Sequence, residues 1–391
     1  MLFAKSSDRP VDEAQVLEWL PARPASERLR TTYVAVPDAG AAAVLGSRPT
    51  WMWGVEHGVN EHRVAIGNER VWTVDDPRSA PPGLIGMDLV RLGLERASTA
   101  DAAVDVVTGL LERHGQGGSG EEGADEPYWS SFLVVDAHAG WVLETSDRSW
   151  VATPVDRGAA ISNRLTLSTD WTRSSSDVEP GADWDRWRSP NAPTGIADHR
   201  LAATRRCIAA DRSGPGHAVA TLRDHGSGPW GVPGAAGDPE PPPDGVYDDW
   251  SGVTVCMHVR DYQCTTASVV ADLPADPSEP MRIWAALGTP CTSVYLPVGV
   301  LEGEAVVPEV LGDAEVWRSF SALSRMVERP GDVGEAALRD IRSALAPVEA
   351  AAWDEADSLW ASGAAAVRWR AAAAGWDEQV RVALVACRGR S

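Results

Sequence analysis

At 391 residues with 44% hydrophobic content, the chain is long enough to bury one large or two medium cores. Its 35 basic residues against 56 acidic ones give a formal net charge of -21, which argues against a nucleic-acid partner, because phosphate backbones are bound through a basic footprint. The start, with Lys5, Asp8 and Arg9, lacks the apolar run of a signal sequence and no stretch of ~18 apolar residues follows, so a cytoplasmic protein with no membrane partner is expected.

In chain order, Leu2 to Ala4, Thr31 to Val36, Ala43 to Leu45 and Val64 to Ile66 read as strands between turns. Gly86 to Arg96 and Ala100 to His114 read as helices, the second opened by Ser98-Thr99-Ala100-Asp101 and stopped by Gly115. Phe132 to Val135, Trp141 to Glu144 and Trp150 to Val155 form a meander, with turns at His138-Ala139-Gly140 and Ser146-Asp147-Arg148. The Gly-, Pro- and acid-rich stretches 117–127 and 224–245 read as exposed loops. Val253 to Val259, Thr265 to Asp272, Met281 to Ala286 and Val294 to Val298 read as strands, and a Trp-bearing helical tail covers 335–387. Five cysteines, at 207, 256, 264, 291 and 387, are odd in number and far apart, which argues against a disulfide framework. No Cys/His spacing suggests a zinc site, so no metal and no cofactor is expected. The order of elements fits an α+β fold in a single domain over 1–391, with helices covering sheets.

Two segments carry the most information: Phe3-Ala4-Lys5-Ser6-Ser7-Asp8-Arg9-Pro10, and Trp51-Met52-Trp53-Gly54 running through Gly58-Val59-Asn60-Glu61-His62-Arg63-Val64-Ala65-Ile66-Gly67-Asn68-Glu69. They resemble the FxKNSDRP and W-GxNExGVxIGNE signatures of the secernin and C69 dipeptidase group, amidohydrolases of the N-terminal-nucleophile class. Ile161-Ser162-Asn163, Cys256-Met257-His258, Thr265-Thr266-Ala267-Ser268 and Gly288-Thr289-Pro290 resemble further elements of the same family. The resemblance implies a four-layer αββα sandwich and hydrolysis of a small peptide or amide through an acyl-enzyme, with room for a homo-oligomer. It departs from the pattern at Ser6, where the family has asparagine, and at Arg63, where it has glycine.

By the same resemblance Lys5 and Asp8 flank the nucleophile, and Asn60 and Asn163 are site asparagines. An asparagine amide suits an oxyanion because it donates a hydrogen bond without a charge of its own. Glu61 and His62 shape the loop, and Trp53, Glu61 and His258 line the substrate. Read alone, the Lys5 to Pro10 run is an ordinary surface turn and His258 an ordinary core histidine. The family's nucleophile is a cysteine at the mature N-terminus, about one strand ahead of FxKNSDRP, whereas the first cysteine here is Cys207. The expectation is an opening strand upstream that carries it; the alternative is a catalytically silent relative that binds or regulates. Cys291 is set aside as a nucleophile because no base lies at readable spacing.

Overall fold

A computed structural model describes residues 1–192, 194–210, 214–226, 253–259, 262–329 and 332–388. The strands are β1 (Leu2–Pro10), β2 (Gln15–Leu20), β3 (Arg28–Arg30), β4 (Ala35–Pro37), β5 (Val44–Pro49), β6 (His57–Asn60), β7 (Ala65–Val71), β8 (Trp129–Val135), β9 (Gly140–Ser146), β10 (Ser149–Pro154), β11 (Arg173–Ser174), β12 (His258–Val259), β13 (Gln263–Asp272), β14 (Arg282–Leu287), β15 (Leu296–Leu301) and β16 (Glu304–Val306). The helices are α1 (Gly86–Arg96), α2 (Ala100–His114), α3 (Thr194–Ala209), α4 (Pro215–Leu222), α5 (Ala314–Val327), α6 (Asp332–Ala361) and α7 (Ala366–Arg388). The described residues pack as two compact units, one built on Leu20–Ala209 and the other on Leu2–Trp19 together with the chain from Ala210 onward. Each is an antiparallel sheet carrying helices, so the chain is α+β.

In the first unit the sheet runs in the order β11-β10-β9-β8-β7-β6-β5, and α1 and α2 lie against its middle strands. Thr99 caps α2 by accepting from the Ala102 N–H at 3.2 Å, and Gly115 ends it at φ 71°. The face between helices and sheet is apolar: Val90, Leu94, Val104, Val107 and Leu111 pack with Ile66, Phe132, Val134 and Leu143, all buried. Thr31 to Val36, expected as a strand, is mostly the turn of the β3–β4 hairpin. The Thr31 N–H and its hydroxyl both donate to Val34 O at 2.9 Å, which closes the turn and leaves only Ala35–Pro37 to pair. The 117–127 stretch is irregular backbone whose residues 122–125 are exposed.

A fully buried carboxyl sits on β9. Glu144 accepts from the Thr166 N–H (2.6 Å), the Thr166 hydroxyl (2.8 Å) and the Leu167 N–H (3.3 Å). Burial pushes its pKa up to about 7 despite those bonds, which favour the charged form. The folded chain therefore holds a proton that the unfolded chain releases near the ordinary carboxylate pKa. The stability this provides is fully present below that ordinary value and is lost as pH rises through about 7. Urea unfolding at pH 5 and pH 8 should show wild type losing on the order of 3 kcal/mol more than Glu144→Gln across that interval. Equal losses in the two proteins would contradict this.

In the second unit a six-stranded sheet runs β1-β13-β14-β15-β16, with β12 pairing β13. β13 lies between β1 and β14 and is buried from Cys264 to Ala271 on both faces, which explains its run of small and apolar residues. β1 instead alternates, burying Phe3, Lys5, Ser7 and Arg9. It is a strand along its whole length, not the surface turn that its Ser-Ser-Asp-Arg-Pro composition suggests. α6 and α7 lie against β15, and α4 lies against β1 and β13. Val253 to Val259, expected as a strand, forms one only at its last two residues. Side chains take over the bonds a ladder would make: the Thr254 hydroxyl donates to Cys256 O at 2.7 Å, and the Thr265 hydroxyl accepts from the Met257 N–H at 2.9 Å. The expected loop at 224–245 lies largely outside the described residues. Among the described residues no helix is long and apolar enough to cross a membrane.

Candidate functional site

The longer motif forms the β6–β7 hairpin of the first unit. Glu61, His62 and Arg63 are its loop, closed by the Asn60 N–H to Val64 O (2.9 Å) and the Arg63 N–H to Asn60 O (3.0 Å). Arg63 sits at φ 69°, so the backbone keeps the left-handed residue that such a three-residue loop requires even though no glycine is present. The Asn60 side chain is spent on this loop. Its Nδ2 donates to Leu94 O (2.8 Å) and Ala97 O (2.7 Å), and its Oδ1 accepts from the N–H groups of His62 (3.0 Å) and Val64 (2.9 Å). Both amide hydrogens thus fasten the hairpin to the end of α1, and none is left for an oxyanion. Glu61 is exposed and accepts from the Ala43 N–H at 2.7 Å, a loop-shaping contact. Trp53 is half-buried under Arg91, whose guanidinium carbon lies 4.0 Å from its ring centroid and whose Nη1 donates to Trp53 O at 2.7 Å.

Asn163 donates from Nδ2 to Arg70 O at 3.0 Å, and its Oδ1 accepts from Arg200. Asn68, which the sequence reading passed over, differs from both other asparagines. It is buried on β7 opposite Phe132, its Oδ1 has no hydrogen-bond partner, and the contact of its Nδ2 is Met87 Sδ at 3.5 Å. A Cβ on Gly86 would lie 2.7 Å from that Nδ2 and 2.1 Å from Ser130 Oγ, so only glycine lets the start of α1 approach so closely. The readable signal was an amide next to Ile66 on the same face of β7, opposite Phe132, where no ladder partner serves it.

The shorter motif is β1 of the second unit, in register with the Thr-Thr-Ala-Ser segment: Lys5 pairs with Val269, and Asp8 with Thr265. The register slips between Ser7 and Asp8, leaving Thr266 as the extra residue of a bulge. The Thr266 hydroxyl donates to Gln15 Oε1 (2.6 Å), the Thr265 hydroxyl donates to Asp8 Oδ1 (2.7 Å), and Lys5 Nζ donates to Ser6 O (2.8 Å). Lys5 lies on the buried face of β1 while Asp8 belongs to the half-buried one, so the strand does not bring the two side chains together.

His258 has the most concentrated chemistry. Its Nε2 lies 3.2 Å from Cys291 Sγ and 3.5 Å from Cys256 Sγ, and its Nδ1 lies 3.1 Å from Ser324 Oγ and 3.5 Å from Glu328 Oε1. The reason for setting Cys291 aside therefore fails: a base does stand beside it, brought there by the fold. Burial lowers the His258 pKa, but the Cys291 charge and bonds to Cys291 and Glu328 outweigh this and lift it to about 9. Burial likewise raises Cys291, yet hydrogen bonds from Cys256 and the His258 charge hold it below the ordinary thiol range. With His225, these residues bring four ligand-type atoms within 4.8 Å of one another, so a site able to hold a metal exists where spacing in the sequence suggested none.

No family profile matches the chain. Among solved structures it is similar to a mutant of conjugated bile acid hydrolase from Clostridium perfringens, at 10% identity and a TM-score of 0.43 over 78% of this chain and 92% of that one. A second variant of that enzyme aligns at 11% identity and a TM-score of 0.40, over 73% and 85%.

Proposed function

We propose that this chain is a cysteine-type amide hydrolase that cleaves small peptides or amides, with Asn68 as its oxyanion donor. The observation that carries the reading is the Asn68 Nδ2, which inside a hydrolase-like motif donates to Met87 Sδ alone at 3.5 Å, a weak acceptor, whereas both amide hydrogens of the motif's other asparagine are used in holding a loop. A neutral donor held in a dry site needs no reorganisation when charge develops on the substrate oxygen. Lys5 and Asp8 keep the roles the motif gives them, flanking a cysteine nucleophile borne ahead of β1, whose own α-amine serves as base because its pKa near ~8 is close to working pH. Asn163, Trp53 and Glu61, in the same unit as Asn68, shape the surroundings of the substrate, and His258 buttresses the second unit.

The test is amine release from a panel of dipeptides and N-acyl amino acids by protein expressed from the full genomic reading frame. Cleavage abolished by replacing the N-terminal cysteine, and reduced ~100- to 1000-fold by Asn68→Ala at unchanged melting temperature, supports the reading. Cleavage that survives Asn68→Ala, or a panel that is not cleaved at all, would overturn it, the latter in favour of a silent binding relative.

A further inference from the structure

We propose that His225, Cys256, His258 and Cys291 hold a structural zinc ion in the second unit. Their four ligand atoms lie within 4.8 Å of one another, and the two nitrogen-to-sulfur separations at His258 Nε2 are 3.2 and 3.5 Å. Around a tetrahedral zinc with Zn–S of ~2.3 Å and Zn–N of ~2.0 Å, the sulfur-to-nitrogen edge is ~3.5 Å. The two separations at His258 Nε2 are close to that edge, and the remaining donors lie near enough for a small closing of the cluster to complete the tetrahedron. Two thiolates and two imidazoles are the set that selects zinc over the hard cations, which take oxygen.

The surroundings are those of a ligand set. A metal-bound histidine hands its remaining ring N–H to a hydroxyl or carboxylate, which fixes the tautomer and aims the other nitrogen. His258 does this through Nδ1 to Ser324 and Glu328, and the Ser324 hydroxyl donates in turn to Glu328 Oε1 at 3.2 Å. The segments that present the ligands are tied to one another as well. The Cys256 N–H donates to Asp224 O at 3.1 Å, beside His225. Arg223 Nε donates to Pro290 O at 2.8 Å and its Nη2 to Ser293 O at 3.4 Å, on either side of Cys291.

Two other uses of this cluster fit less well. A Cys291 nucleophile paired with His258 would leave Cys256 and His225, whose ligand atoms lie within the same 4.8 Å, without a role. A Cys256–Cys291 disulfide would leave the two imidazoles crowded against a bridge that offers them no charge. Bound zinc takes up both thiolates and both nitrogens, and His225, the one partly exposed ligand, marks the way in. Four protein ligands leave no open position, so the ion staples α4, β12 and the turn at 290–292, and through Ser324 it reaches α5.

The experiment is elemental analysis of the full chain purified under reducing conditions without chelator. About one zinc per chain is expected, lost in Cys256→Ser and Cys291→Ser, and cobalt exchanged into the site should give the charge-transfer absorption of thiolate ligation. Should the cysteine variants fail to fold, His225→Ala and Ser324→Ala are the milder tests, each expected to weaken metal affinity at least ~10-fold. Folded, metal-free protein with both thiols reactive and no cobalt uptake would overturn the proposal. So would a Cys256–Cys291 disulfide found by mass. Metal content reads the same whether or not the chain cleaves amides, so failure here is distinct from failure of the hydrolase reading.

Discussion

Glu349→Ala is expected to destabilise the second unit by about 3–5 kcal/mol, because it removes the carboxylate that compensates a buried guanidinium. Arg223 Nη1 and Nη2 grip Glu349 at 2.8 and 2.6 Å, and the side chains are only 19% and 13% exposed. Glu349 Oε2 also accepts from the Tyr295 N–H at 2.7 Å, and its Oε1 lies 3.5 Å from Arg342 Nη2. One carboxylate thus anchors α6 to the strand entrance at Tyr295 and to Arg223, which in turn holds the turn carrying Cys291. Arginine cannot shed its proton to escape burial, so the charge stays and must be left solvated badly or drag the turn open. Chemical unfolding of Glu349→Ala against wild type reads the loss directly. Arg223→Lys should fall between the two, since an ammonium cannot reproduce the paired fork. A loss below about 1 kcal/mol in Glu349→Ala would place the pair with ordinary surface ion pairs and sink the account.

Local signals were legible wherever one element answers to its own residues. The helix pair over 86–114, with Thr99 as cap and Gly115 as stop, follows from apolar spacing alone, and so does the meander around Phe132, Trp141 and Trp150. α5 was overlooked although Asp313 caps it, with Oδ1 accepting from the Glu315 N–H at 2.8 Å, and Val316, Trp317, Phe320, Leu323 and Val327 repeat along one buried face. Its pattern is as clear as that of α2, and Pro308 and Gly312-Asp313 mark its start, so it was legible in the sequence and missed.

The site was less legible for a different reason. Asn60 and Asn68 occupy the same motif eight positions apart. Which of them has an amide to spare depends on where the end of α1 offers its carbonyls, and that is a tertiary fact. The four-ligand cluster draws on His225, on the Cys256–His258 step and on Cys291, three stretches separated by about thirty residues each and joined only by the path of α4, β12 and the turn after β14. Spacing finds a zinc site when the ligands share one local loop, and these do not.

The tryptophans of the C-terminal helices form a contiguous aromatic row with one on β14. Trp284 lies 4.9 Å from Trp353 and 5.2 Å from Trp360 between ring centroids, Trp360 lies 5.3 Å from Trp369, and Trp369 lies 6.3 Å from Trp376 at 83°. Trp369 is buried on α7, and the strand beneath it makes room by being glycine: a Cβ on Gly299 would meet Trp369 Cδ2 at 2.5 Å. Trp369→Ala should cost about 3–5 kcal/mol, since it empties a large buried volume and breaks two ring contacts at once. Gly299→Ala should cost about 1–3 kcal/mol by pushing the ring out of place. The two changes share one cause, so they should not add. With the indole gone, the methyl of Gly299→Ala enters the space it vacated, and the double variant should be no less stable than Trp369→Ala alone. Additive losses in a double-mutant cycle would mean that Gly299 serves its own strand geometry, and that the row is held from the helix side only.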